Sequence, residues 1–226
     1  MKVKDDIRTW GPAVLPVLAV VALQLACYWI PAALLPASGR ILIDSPIDDA
    51  IPFVPAFVVL YLGAFIQWII YFLRLACAEP ALRYRYLAAE IVAALIGCAC
   101  FVACPVSLVR PDAAGAGPFL WLVRIVYGAD DPVCLFPSFH AVVSSLATLR
   151  VFDDSRAGTP AKVGSVLFTV GVCASAVFVK QHLLMDMVAG VALALACRLL
   201  ARKTPLSQAV GRLFDALNAK VFGTRV

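Results

Sequence analysis

Apolar residues run along this chain in blocks much longer than a strand needs, and without strict alternation. Six blocks stand out, at about Gly11–Leu35, Ile51–Cys77, Leu87–Val109, Phe136–Phe152, Val163–Val179 and Leu183–Leu200. A helix needs roughly 20 residues to cross a hydrocarbon core about 30 Å thick, and it satisfies its own backbone groups on the way. The pattern therefore predicts an all-α polytopic membrane protein with six transmembrane helices. The fourth block is short and carries Ser138, His140, Ser144 and Ser145, residues that a lipid-facing helix avoids. Beyond the sixth block, Leu206, Val210, Leu213, Phe214, Leu217 and Val221 recur every three or four positions, with Gln208, Arg212, Asp215 and Lys220 between them. That period predicts an amphipathic C-terminal helix on the cytoplasmic membrane surface, or a helix packed against a partner. The first block ends in Pro31-Ala32-Ala33, which resembles a signal-peptide cleavage region, but about 25 residues is long for one and favours a span. No internal repeat is evident, so residues 1–226 read as one domain.

Composition narrows the class. The 226 residues are 63% hydrophobic and 15% charged, with a mean hydropathy of +0.93. A soluble domain is about 45–50% apolar and about 25% charged. One core of this size cannot hide so much apolar surface. A soluble protein, a disordered chain and a nucleic-acid binder are therefore excluded, and the long unalternating blocks disfavour a β-barrel. The eight cysteines, at 27, 77, 98, 100, 104, 134, 173 and 197, lie mostly inside apolar blocks and show no CxxC pair. They read as small apolar residues rather than zinc ligands; a Cys104–Cys134 disulfide is the alternative use of the two at block edges. No metal or cofactor is expected.

Charge sets orientation. The net charge is +5, and its Lys and Arg are unevenly spread. Fifteen fall on one side of the predicted spans, including Lys2, Lys4, Arg8, Arg83, Arg150, Arg198 and Arg225. Four fall on the other: Arg40, Arg110, Arg124 and Lys180. Cytoplasmic loops carry the excess of Lys and Arg, so both termini are expected in the cytoplasm. Small size and the lack of an organelle-targeting stretch place the expectation at a bacterial inner membrane.

The chemistry sits on the sparsely charged side. The only histidines are His140, opening the fourth block, and His182, opening the sixth. His182 and Asp186 are spaced i, i+4, which on a helix gives them one face. A carboxylate bonded to one imidazole nitrogen leaves the other basic, as a nucleophile requires. His140 would then protonate a leaving group. Pro137 and Ser138 mark a capped helix start, whose free N–H groups favour an anion such as phosphate. Arg110 ends the third block and offers a forked cation for phosphate oxygens.

These residues carry a family resemblance. Pro137-Ser138-Phe139-His140 resembles the PSGH motif of the type 2 phosphatidic acid phosphatase superfamily. Ser175, His182 and Asp186 match the spacing of its SR-x5-H-x3-D motif, and Arg110-Pro111 resembles the end of its first motif. The chain looks most like the branch of inositol phosphorylceramide synthase and sphingomyelin synthase. The relevant stretches are Asp48 to Pro55, Phe136 to His140, and Phe178 to Gly190, and the likeness covers about residues 44–190. The resemblance implies six helices, an extracytoplasmic active site, and phosphoryl or phosphodiester transfer through a phosphohistidine without metal. It makes His182 the nucleophile, Asp186 its orienter, His140 the proton donor, and Arg110 with Ser138 the phosphate holders.

Three positions depart from the family pattern. Its Lys is Ala103 here, its Arg after the serine is Ala176, and its Gly before the histidine is Phe139. Electrostatic stabilisation dominates phosphoryl transfer, so losing two cations favours a phosphodiester monoanion over a monoester dianion. Lys180 would replace one cation, or lie exposed at the interface. Asp112 and Asp131, in the same outer loop, read as solvated or structural, with a contact to a substrate hydroxyl as the lesser alternative. The expected function is head-group transfer from a membrane phospholipid or sphingolipid to a lipid alcohol or water. A lipid phosphate monoester phosphatase and a non-enzymatic lipid-binding or transport protein are the alternatives.

Overall fold

A computed structural model describes residues 2–35, 39–43 and 45–223, the side chains of residues 2–9 excepted. Arg225, and the side chains of Lys2, Lys4 and Arg8, therefore lie outside the described residues. The chain opens with α1 (Lys2–Leu34), a two-residue strand β1 (Ile41–Leu42) and a short helix α2 (Pro46–Ala50). A 3-10 turn at Pro55–Phe57 leads into α3 (Val58–Ala76), followed by α4 (Pro80–Ala103) and β2 (Val106–Ser107). Then come α5 (Pro118–Ala129), α6 (Phe139–Asp153), α7 (Thr159–Phe178), α8 (Leu184–Lys203) and α9 (Leu206–Phe222).

Among the described residues, five helical stretches are long and apolar enough to cross a membrane: Trp10–Leu34, Pro55–Ala76, Pro80–Ala103, Thr159–Phe178 and Leu184–Lys203. Their outward faces stay apolar, with Leu25, Ile66, Val102, Leu167 and Val188 all exposed. Such surface suits lipid rather than water. The molecule is thus an all-α membrane protein.

The fourth expected span is different. α6 has 15 residues, about 22 Å at 1.5 Å per residue, and so is shorter than the roughly 30 Å hydrocarbon core. It is buried from Phe139 to Thr148, enclosed by α3, α4, α7 and α8. Its polar residues bond inward. Trp68 Nε1 donates to Ser144 Oγ at 3.0 Å, Thr169 Oγ1 to the Ser144 carbonyl at 3.0 Å, and Thr148 Oγ1 to the Ser165 carbonyl at 3.0 Å. Side-chain bonds of this kind join helices where no water competes.

Other boundaries shift for local reasons. Pro52 and Pro55 delay the second long helix, so α3 starts only at Val58. α4 starts at Pro80, where proline suits a first helical position, and takes in Arg83 and Arg85. It stops at Ala103 because Pro105 cannot continue it. Arg110 therefore lies beyond β2 in irregular chain, not at a helix end as expected. β2 pairs in parallel with β1, Val106 opposite Ile41 and Ser107 opposite Leu42.

The two ends of the bundle differ. At one, Arg83 donates to the carbonyls of Leu75, Ala76 and Ala78, closing the C-terminus of α3. There too Arg198 pairs with Asp153, which accepts from Tyr86 Oη at 2.7 Å. The opposite end gathers Arg110, His140, Lys180 and His182. The C-terminal helix forms as expected, but it packs on its own chain. Phe214 stacks on Tyr84 with centroids 6.4 Å apart, Tyr84 Oη donates to Asp215 at 2.8 Å, and Asn218 Nδ2 donates to the Pro12 carbonyl at 3.0 Å. Leu213, Leu217 and Val221 stay exposed beside that contact. The cysteines are free thiols; Cys27, Cys134 and Cys197 are buried, whereas Cys77 and Cys104 are exposed.

Candidate active site

The two histidines come from different elements and meet. Ser138 caps α6, its Oγ accepting from the Ala141 N–H at 3.4 Å, and His140 follows in the first turn. His182 lies in the turn before α8, not on a helix as the i, i+4 reading assumed. The imidazole centroids are 5.6 Å apart and the rings are inclined by 64°. His140 stacks on Tyr61 at 4.4 Å and lies 5.0 Å from the Trp68 ring. Its Nε2 is buried without a hydrogen-bond partner.

Asp186 reaches His182 by a route that the spacing alone did not give. Its carboxylate caps α8, Oδ2 accepting from the Leu183 N–H at 2.8 Å. The same oxygen lies 3.5 Å from His182 Nδ1. That is an ion-pair distance rather than a hydrogen bond. His182 Nδ1 is buried without a hydrogen-bond partner, so the carboxylate stands beside that nitrogen without bonding it.

Arg110 is held on three sides. Nη1 donates to the Asp130 carbonyl at 2.6 Å, Nη2 donates to Gln181 Oε1, and the guanidinium lies 4.6 Å above the Tyr127 ring centre. Its Nε is buried without a partner. Burial lowers the Arg110 pKa, with Asp130 pulling the other way. The Asp130 carboxyl is raised, burial being the largest cause; the Tyr28 hydroxyl donates to it at 2.5 Å and opposes that rise, as does His182.

A cavity of about 700 Å³ opens beside these groups, lined by Arg110, Lys180, His182, Asp48 and Asp49 among others. His140 and Ser138 lie behind this wall: Ser138 is fully buried and its hydroxyl is spent on the helix cap. Lys180 lines the cavity, but its ammonium donates to the carbonyls of Asp48 and Ile51, both at 2.6 Å. Asp48 in turn accepts from the Leu184 N–H at 2.7 Å and from Ser45 Oγ at 2.5 Å. Lys180 and Asp48 thus anchor α2 over the start of α8.

Phe139, where the resembled motif has glycine, has its own accommodation. Its ring lies against Gly97 of α4, where a side chain would collide with it, and packs 5.0 Å from the Phe101 ring. Several site residues escaped the sequence reading. Tyr61, Phe65 and Trp68 recur at helical spacing, a visible signal for one aromatic face on α3. Gln181 lies within the resembled stretch Phe178 to Gly190, which gives it no role of its own, and Asp130 lies beside Asp131 in a loop without a motif. Comparisons with known protein families, with characterised proteins and with solved structures return no match to this chain.

Proposed function

We propose that this protein is a membrane-embedded phosphotransferase. It passes a phosphodiester head group from a membrane phospholipid or sphingolipid to a lipid alcohol, with His182 as nucleophile. The observation that carries the reading is the meeting of His140 and His182, ring centroids 5.6 Å apart, where His182 lines a cavity together with the half-buried Arg110. Two imidazoles at that separation can both reach one phosphorus centre, given about 3 Å of hydrogen-bond reach on each side. The motif resemblance to the type 2 phosphatidic acid phosphatase superfamily supports the same roles.

In the first step His182 Nε2 attacks phosphorus and the bond from phosphorus to the leaving oxygen breaks. His140 gives that oxygen its proton, so the first lipid alcohol departs neutral. Asp186, 3.5 Å from Nδ1, stabilises the positive ring that results. In the second step the acceptor hydroxyl returns a proton to His140 and its oxygen displaces His182. Arg110 holds non-bridging oxygens throughout. On this reading α6 is a sixth, enclosed crossing element, both termini are cytoplasmic, and the cavity faces the opposite side of a cell's inner membrane.

The test is turnover by the purified protein in proteoliposomes carrying a phospholipid labelled in its phosphate. Label should move to added diacylglycerol or ceramide, and His182→Ala should lose it by at least about 10²-fold. Turnover surviving in His182→Ala overturns the mechanism. Release of inorganic phosphate from phosphatidic acid, without transfer, makes the protein a monoester phosphatase instead. Lipid binding with no turnover makes it a lipid binder.

A further inference from the structure

We infer that the Gln181 side-chain amide is a phosphoryl-oxygen donor, and that with Arg110 it tunes the site to a singly charged phosphodiester. This rests on the phosphotransferase reading and deepens it. Gln181 is 1% exposed. Its Oε1 accepts from Arg110 Nη2, so the amide orientation is fixed and Nε2 is the end left over. Nε2 is buried and has no hydrogen-bond partner, and neither has Arg110 Nε beside it. A buried donor without an acceptor loses its water and gains nothing in return, so it is costly to leave unmet. Arg110 and His182 line the cavity, and Gln181 is bonded to the one and next in sequence to the other, so the two spare donors at its wall form a place for an acceptor-rich anion.

The surrounding charge decides which anion. Lys180, the second cation at the wall, has its ammonium committed to the carbonyls of Asp48 and Ile51. The cations of the resembled family are Ala103 and Ala176 here. Among the described residues lining the cavity, one guanidinium, that of Arg110, therefore faces the ligand, with Asp130 in the same neighbourhood. A neutral amide donor next to a single cation matches one negative charge shared by two non-bridging oxygens. A monoester dianion would sit there under-neutralised.

Binding can be read apart from turnover in a His182→Ala background. Titration calorimetry of that protein in detergent would use dihexanoyl phosphatidylglycerol as the diester and dihexanoyl phosphatidic acid as the monoester. The diester should bind more tightly. Adding Gln181→Glu keeps the oxygen that Arg110 bonds and removes the donor, so diester affinity should fall at least about tenfold, as expected for one bond to a charged group. Gln181→Met reads the same loss without an added charge, should the glutamate variant fail to fold. Gln181→Lys should turn the preference toward the monoester. Diester affinity within twofold of the parent in both the Glu and Met variants overturns the role of Gln181 and leaves the phosphotransferase reading standing. If the parent binds neither lipid, the phosphotransferase reading falls and takes this inference with it.

Discussion

The Ser138 N–H donates to the Asp186 carbonyl at 3.1 Å, tying the cap of α6 to the first turn of α8. That bond sets the spacing of the histidines, because His140 and His182 are short steps from its two ends. It forms only because Gly190 lets the backbones touch. A Cβ at residue 190 would lie 2.6 Å from the Ser138 carbonyl oxygen and 2.7 Å from Ala141 Cβ. Neither atom is the loose end of a flexible side chain, so the helices themselves must part. Gly190→Ala is expected to lose about 1–3 kcal/mol by overpacking, seen as a lower Tm. Turnover should fall further than the folded fraction does, since α6 carries His140 with it. Wild-type Tm and turnover in this variant would show that the contact has slack.

Orientation can be read with native thiols. Cys77 follows α3 and Cys104 follows α4, both are exposed, and they lie at opposite ends of adjoining helices. With both termini cytoplasmic, a membrane-impermeant maleimide added to intact spheroplasts should label Cys104 and spare Cys77 until the membrane is opened. Cys77→Ser and Cys104→Ser variants identify the bands. The reverse pattern would invert the topology and put the histidine cavity in the cytoplasm.

Much of this organisation could be read from the chain because lipid imposes few solutions. Length and apolarity found the long helices, and the two histidines stood out against an apolar background. What escaped depended on tertiary contact. α6 is too short and polar for a free span, and becomes reasonable only once Ser144 and Thr148 find partners on α3 and α7. Lys180 looks like a spare cation in sequence, and only its distances to Asp48 and Ile51 show an anchor. His182 and Asp186 lie 3.5 Å apart, but His182 precedes α8 and does not share a helical face with Asp186. Helical spacing and a capping carboxylate bring the same two residues together by different geometry.

Asp130 should leave a trace in the pH dependence of stability. Burial raises its carboxyl above the usual value, so the folded state holds that proton more tightly than the unfolded chain does. The resulting stabilisation is present in acid and fades as pH rises from the ordinary carboxylate value of about 4 through the higher folded value. Asp130→Asn cannot charge, and should flatten that part of the profile. Thermal melts of both proteins in detergent between pH 4 and 8, scanned in parallel, would show the wild type losing more on alkalinisation. Parallel curves would mean that Asp130 is ionised at no net cost.

The two histidines should separate by leaving group. His140 is assigned to protonate the departing oxygen, a task that matters only when that oxygen is basic. A lipid p-nitrophenyl phosphodiester releases a phenolate that leaves without a proton. With it, His140→Ala should retain most of the first-step burst, while on a natural phospholipid the same variant loses about 10²–10⁴-fold. His182→Ala should lose both, because no nitrogen is left to form the bond to phosphorus. On the natural substrate the double variant should be little worse than His182→Ala, since groups acting in one step are not additive. If His140→Ala lost equally on both substrates, its imidazole would be holding the site's shape against Tyr61 and Trp68 rather than moving a proton.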